Sequence, residues 1–262
     1  YKNASNLGGF IGKVIGPLFR SKKIIISNIE RAFKNLNDQE TKKLISYMWS
    51  CYGKILSNYI FLNKFRSHTF EKYLNIEGIH ILENIKKNDK PVIFVSGHFD
   101  NFELMAMTIE KNGIKLSAIY RPLNNIFLNK FMENIRKKYI CKNQIKKGQS
   151  GTKEMIKLLK KNYSVALMID QRVSEGIKVK LFNDYAFTTT IPAQIVKKYG
   201  FQIVPVYICR EKDYYFNIKF FDPISFSEKD EIENITQNLN FWLEKMIKKN
   251  PEQWIWTHNR WK

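Results

Sequence analysis

Acidic side chains are scarce in this 262-residue sequence: 24 Asp and Glu stand against 44 Lys and Arg, a formal net charge of +20. Cysteine is scarcer still. Cys51, Cys141 and Cys209 are far apart with no CxxC pair, which excludes a disulfide framework and fits three small buried hydrophobes in a reducing compartment. The four histidines (His68, His80, His98, His258) show no metal-ligand spacing with the cysteines or with one another, so no metal site is expected. A Gly-x-Ser-x-Gly elbow is missing, which argues against a serine hydrolase. Internal repeats, low-complexity stretches and linkers are also missing. The chain is long enough to bury a substantial core as one domain.

What is present in excess is positive charge. Such a surface attracts polyanions: nucleic acid, anionic lipid or an acidic protein. The surplus is mostly lysine in a chain also rich in Ile, Asn, Tyr and Phe, all encoded by AT-rich codons, so part of it reflects composition bias. With 44% hydrophobic and 26% charged residues the composition is that of a globular protein. No nucleic-acid-binding module is recognisable, and no nucleic-acid partner is expected.

The stretch most charged with chemistry is Pro91 to Met105. Val92 to Ser96 is a short apolar run with the β-branched and aromatic content of a buried strand. Gly97 breaks it, and a helical pattern follows through Leu104, Met107 and Ile109. A strand passing through a turn into a helix places the turn at the carboxyl edge of a sheet, where open α/β folds bind ligands. His98 is in that turn and Glu103 is five residues on. Imidazole titrates near pH 6.5 and can take and return a proton, and a carboxylate partner fixes its tautomer. On one straight helix the two side chains would point about 140° apart. Their pairing therefore requires His98 before the helix and Glu103 in its first turn. A blander reading makes Asp100-x-x-Glu103 a capping box with Asp100 as N-cap.

The remaining pattern alternates helices with strands. At the N-terminus Leu7, Phe10, Ile11, Val14, Ile15, Leu18 and Phe19 follow helical spacing, with Gly8, Gly12 and Gly16 at four-residue steps and Lys13, Arg20, Lys22 and Lys23 flanking. This segment is shorter than the roughly 20 residues a spanning helix needs, and it suits either an interfacial helix or one packed on the domain. The chain opens on Tyr1, not methionine, so an upstream segment is expected. Helices are further expected over Asn28–Leu36, from Asn37-Asp-Gln-Glu40 along a stripe from Leu44 to Leu56, and over Glu77–Lys87, Ile126–Lys138, Lys153–Lys161, Thr188–Lys198 and Ser227–Lys249. Strands are expected over Lys115–Tyr120, Ser164–Asp170, Val179–Phe182, Gln202–Arg210 and Tyr215–Phe221. An acid closing a run as apolar as Ser164–Asp170 belongs at a sheet edge, in a site or in an ion pair. Three tryptophans crowd the tail Pro251–Lys262, which suggests docking onto the body. The fold expected is α/β: one domain with a central mixed sheet flanked by helices, plus an N-terminal amphipathic helix.

Ser96-Gly-His98-Phe-Asp-Asn101-Phe-Glu103, Tyr120-Arg-Pro122, Ile169-Asp170-Gln171, Thr189-x-x-Pro192-Ala193 and Pro251-Glu-Gln-Trp254 fall in an order that resembles the lipid A biosynthesis lauroyl/myristoyl acyltransferase family. That family is part of the lysophospholipid acyltransferase-like group, with a glycerolipid acyltransferase-like fold. The resemblance extends over nearly the whole chain. It implies a membrane-bound enzyme at the cytoplasmic face of the bacterial inner membrane, which moves a fatty acyl chain from acyl carrier protein to a hydroxyl of a lipid A precursor. His98 and Glu103 match the family's His-x4-acid pair and are expected to be catalytic, with Glu103 orienting a His98 general base. Arg136 matches an arginine in the helix after the Tyr-Arg-Pro block, and Asp170 the acid after the third strand. Asn101, Arg121, Arg136, Asp170 and Arg172 are expected to bind substrate, the arginines through phosphates and Asp170 by holding a substrate group, Arg136 or Arg172. Asp100 stands where glycine is common in the family and Phe102 where tryptophan is common. The partners implied are acyl carrier protein, anionic membrane lipid and a phosphorylated glycolipid acceptor. No cofactor is expected, since the thioester donor is a substrate. Residues 1–25 would form a membrane-proximal segment and 26–262 the acyltransferase domain. Another glycolipid or a lysophospholipid is the alternative acceptor, and a basic nucleic-acid-binding protein is the alternative from a different class.

Overall fold

Strands buried on both faces need mostly apolar residues, and Ile93-Phe-Val supplies them in the central strand of a seven-stranded sheet; the strand's last residue, Ser96, donates its hydroxyl to the Val206 carbonyl at 2.6 Å. In the computed structural model, which describes residues 1–262 apart from Asp213 and Glu228, the chain runs in order through 19 helices and strands. Helices α1 (Lys2–Ile15), α2 (Lys22–Ala32), α3 (Asp38–Asn58) and α4 (Leu62–Arg66) come before β1 (Leu74–Glu77) and α5 (Ile79–Asn88). The middle of the chain is β2 (Ile93–Ser96), α6 (Glu103–Lys111), β3 (Leu116–Tyr120), α7 (Ile126–Ile135), β4 (Asn143–Lys146), α8 (Gln149–Leu159) and β5 (Ser164–Met168). A hairpin of β6 (Ile177–Leu181) and β7 (Asp184–Thr188), then α9 (Ile191–Tyr199), β8 (Ile203–Arg210), β9 (Phe216–Phe220) and α10 (Ile232–Lys249) complete it.

The strand order is β1-β9-β8-β2-β5-β3-β4. Strands β2, β3, β4, β5 and β8 run the same way, and the antiparallel β8–β9 pair reverses the sense for β9 and β1, so the sheet is mixed as expected. Alternation along β2 sends Phe94 into one apolar layer, with α2 to α6 and the tryptophan tail. Ile93 and Val95 point into the other, with α8, α9 and the first half of α10. Each fully buried side chain of this size contributes roughly 1.5–3 kcal/mol, so the two layers fix the sheet between them.

Helix α3 begins where the sequence places it: Asn37 accepts from the Glu40 N–H at 2.9 Å and Glu40 from the Asn37 N–H at 2.9 Å. Its stripe is core through Trp49, but Leu56 is exposed. Helix α1 packs on α3 through glycines. A Cβ at Gly53 would be 1.9 Å from the Gly8 carbonyl oxygen, and one at Gly12 would be 2.2 Å from that of Trp49. Residue 25 falls inside α2, and Ile25 is core. Three strands were not expected. β1 and β4 are four-residue edge strands too polar to show a run, and β7 follows β6 across a turn in which Phe182 adopts φ +58. Glu228, within the helix expected from Ser227, lies outside the described residues, and α10 begins at Ile232. Among the described residues no helix is long and apolar enough to cross a membrane.

Candidate active site

The turn after β2 is held from outside itself. Asp100 sits at φ +30, a left-handed conformation that Asp tolerates and glycine prefers. Its buried carboxylate grips the Arg210 guanidinium at two points, 3.0 and 2.8 Å, and accepts from the Asn101 N–H at 2.7 Å. Its own N–H donates to the Gln253 carbonyl at 2.8 Å. Helix α6 then starts at Glu103 with Phe102 before it. The capping-box reading is therefore corrected: Asp100 is committed to Arg210, and the Glu103 carboxylate to Tyr59 and Arg136.

Strands β2 and β5 are parallel neighbours in which Ser96 pairs with Met168. Two residues further along each strand come His98 and Asp170, so the sheet's register sets them face to face at its carboxyl edge. The His98 Nδ1 is 2.8 Å from Asp170 Oδ1, and the His98 backbone N–H donates to Oδ2 at 2.7 Å. The indole N–H of Trp254 donates to the same Oδ2 at 2.9 Å. Asp170 is fully buried. Burial alone would raise its carboxyl, but the His98 charge, the two His98 hydrogen bonds and Trp254 outweigh that and hold it below the usual carboxylate range. With Nδ1 committed to the acid, Nε2 is the ring atom left for proton exchange. The ring stands edge-on to Phe102 at 4.9 Å, and the side chain keeps 18% exposure.

The partner expected for His98 was Glu103, and this is corrected: the acid on Nδ1 is Asp170. Glu103, one residue into α6, accepts instead from Arg136 Nε at 2.8 Å and Nη2 at 2.6 Å, and from the Tyr59 hydroxyl. Arg136 comes where α7 gives way to a π-helical turn, Arg136–Ile140, that brings the guanidinium back toward α6. Burial would loosen the guanidinium's proton, but Glu103 and Tyr59 more than offset it. Burial together with Glu103 keeps the Tyr59 phenol protonated. Asp170 was expected to position a substrate group or to anchor Arg136 or Arg172; of these it anchors neither arginine, and its carboxylate accepts from His98 and Trp254.

Asn101 is buried, and its amide oxygen and nitrogen have no partner among the described residues. Arg121 is exposed just past β3, and Lys147 stands at the end of the adjacent β4 with its N–H on the Tyr120 carbonyl at 2.8 Å. Partial burial and the Arg121 charge both lower the Lys147 ammonium, marking a cationic cluster on the same edge as His98. Arg172 lies over the Phe187 ring and donates from Nε to the Lys262 carbonyl at 2.9 Å. Its N–H donates to His258 Nε2 at 2.9 Å, and burial pushes His258 down to about 4, so that ring is neutral.

A shallow cleft, open to solvent, is lined by His98, Phe102, Trp254 and Ile255 together with Cys51, Tyr52 and Ile55 of α3. Tyr52 and Ile55 of the α3 stripe thus face the site. Sequence reasoning missed Tyr59, Cys51, Lys147 and the Trp254–Asp170 bond. Only the last had a visible signal, since Trp254 and Asp170 both belong to the motifs quoted above. Burial pushes the Cys51 thiol up and out of the thiolate range. Among the described residues no group of three or more His, Cys, Asp or Glu side chains is arranged to hold a metal ion.

A histidine backed by a buried acid stands at the carboxyl edge of an α/β sheet beside an apolar cleft, an arrangement chemically able to exchange a proton with a polar group there. The profile of the bacterial lipid A biosynthesis acyltransferases matches residues 1–262, and the chain belongs to that family. It is 25% identical to the lipid A biosynthesis lauroyltransferase of Escherichia coli (strain K12), over 98% of this chain and 84% of that one. It is 21% identical to the myristoyltransferase of the same organism, over 96% and 77%. With lipid A biosynthesis acyltransferase 2 of Shigella flexneri it shares 22% identity over 94% and 79%. The protein is thus an acyltransferase of lipid A biosynthesis, and the family implies a glycolipid acceptor.

Proposed function

We propose that this protein transfers a fatty acyl chain from an acyl carrier protein thioester to a hydroxyl of a lipid A precursor, at the cytoplasmic face of the bacterial inner membrane, with His98 as general base. The observation that carries this is the Asp170–His98 pair, which commits Nδ1 and leaves Nε2 at the cleft. The acceptor O–H gives its proton to Nε2 as its oxygen bonds to the thioester carbonyl carbon. The tetrahedral intermediate then collapses, the C–S bond breaks, and the imidazolium returns the proton to the departing sulfur. The products are an ester and the carrier's free thiol. General base catalysis of this kind contributes roughly 10²–10⁴-fold. Asp170 fixes the tautomer and stabilises the imidazolium. Glu103 and Tyr59 hold Arg136 in position for an acceptor phosphate, and Arg121, Lys147 and Arg172 add positive charge along the edge.

A covalent acyl-cysteine route is the second reading, favoured only by Cys51 lining the same cleft. Its raised thiol pKa argues against it. The experiment is incubation with labelled acyl carrier protein thioesters and candidate acceptors, followed by mass spectrometry of the product. His98→Ala is expected to abolish transfer with an unchanged circular dichroism spectrum, and Cys51→Ala to retain it. Retained turnover in His98→Ala ends the mechanism.

A further inference from the structure

The cleft explains the chemistry, but it leaves α7 unexplained. None of its ten residues is buried. Phe127 is 89% and Ile126 80% exposed, and Leu123, Leu128 and Phe131 also face solvent. A helix this short is not held by its own backbone hydrogen bonds, so its apolar face calls for a partner. Around that face stand exposed Arg121, Lys130, Lys137 and Lys138. Its single acid, Glu133, is drawn inward by Tyr120 and Asn129. Large apolar side chains ringed by cations, with the acid withdrawn, complement an anionic bilayer: tails for the rings, headgroups for the lysines.

The position of α7 strengthens this. Its C-terminal end delivers Arg136 to Glu103, and Glu103 also takes the hydroxyl of Tyr59. Next to Tyr59 are exposed Ile60 and Leu56, and the last turns of α3, which carry Leu56, pack against Gly8 of α1. The outer face of α1 exposes Leu7, Phe10 and Val14. Exposed apolar residues of α7 and of the segment next to Tyr59 therefore flank the two groups, Arg136 and Tyr59, that hold one buried acid beside the His98 turn.

We propose that α7 is a membrane-docking helix, which inserts Phe127 and Phe131 into an anionic leaflet and holds the Arg136 side of the site against the lipid surface. This rests on the acyltransferase reading for its purpose, but lipid binding is measurable without turnover. An acidic protein would satisfy the lysines, yet it would need a matched groove for five large side chains, whereas lipid tails take them without shape matching.

The test is flotation of the purified protein with vesicles of phosphatidylglycerol and phosphatidylethanolamine in equal parts, and with phosphatidylcholine vesicles. Phe127→Glu/Phe131→Glu is compared with Phe10→Glu in α1. The α7 variant is expected to bind anionic vesicles about tenfold or more weakly, given the transfer energy of a phenyl side chain, with unchanged thermal melting. Phe10→Glu should leave that α7 contribution measurable. Unchanged vesicle binding of the α7 variant overturns the proposal. So does unchanged vesicle binding with lost response to acyl carrier protein, which would make α7 a carrier dock. If lipid binding responds as expected but wild-type protein acylates no lipid A precursor, the function fails and the surface stands.

Discussion

Asp170 accepts at Oδ2 from two groups that only donate, the His98 backbone N–H and the Trp254 indole N–H, and at Oδ1 from the imidazole Nδ1–H, whose tautomer it sets. Asp170→Asn puts an amide N–H₂ against one of them. The imidazole is then held in the wrong tautomer, and kcat is expected to fall about 10³–10⁴-fold while the α/β fold persists. Stopped-time assays with far-ultraviolet dichroism check both. Glu103→Gln does something different, because it leaves the Arg136 guanidinium buried without its counter-charge. A loss of about 3–5 kcal/mol is expected, read as a lower urea midpoint. At Asn101 two polar atoms are buried without partners. If the amide only fills space, Asn101→Leu gains stability and keeps turnover; the substrate role proposed for it expects the same gain in melting temperature with a loss of kcat/KM.

Acid sensitivity follows from two of these groups. Burial depresses His258 from 6.5 to about 4. Below pH 6.5 the unfolded chain takes up a proton that the folded chain refuses, so stability is whole above 6.5 and declines as pH falls toward 4. Asp170 continues the decline: its folded carboxyl lies below the usual value, so its stabilisation is present above the unfolded value and is lost as pH falls through the folded one. Urea midpoints at pH 7 and pH 5 are expected to differ, and His258→Gln should narrow that gap.

Among the elements, α1 depends on bare backbone. Gly53→Ala places a methyl 1.9 Å from the Gly8 carbonyl oxygen, so α1 must lift from α3. A cost of about 1–3 kcal/mol and faster proteolysis within residues 1–20 are expected, with cleavage mapped by mass spectrometry. The elements that sequence revealed were those whose own side chains carry the pattern: β2 and β5 as apolar runs, α3 by its capping box. Edge strands β1 and β4 gain order from a neighbour and so show little in their own residues. The same distinction governs the site. His98, Asp170, Glu103 and Arg136 were all visible as candidates, but pairing them correctly required knowing that β5 lies beside β2, a contact between residues 72 positions apart. Local spacing favoured Glu103, and strand register chose Asp170.

At the scale of the molecule, +20 acts as a field, and fields are screened. The Debye length shrinks from about 30 Å at 0.01 M salt to about 8 Å at 0.15 M. For acceptors bearing phosphates, kcat/KM is expected to fall with salt through KM, whereas buried bonds such as His98–Asp170 hold kcat nearly level. Initial rates across an ionic-strength series separate the two.

Trp254 comes 84 residues after the carboxylate it steadies. On a ribosome the chain emerges from its amino end, so both sides of the imidazole–acid pair are made well before the indole exists to finish them. A nonsense codon shortly before Trp254 therefore yields a protein that has the imidazole–acid pair but lacks the indole that steadies it, and such a truncation is expected to lose turnover.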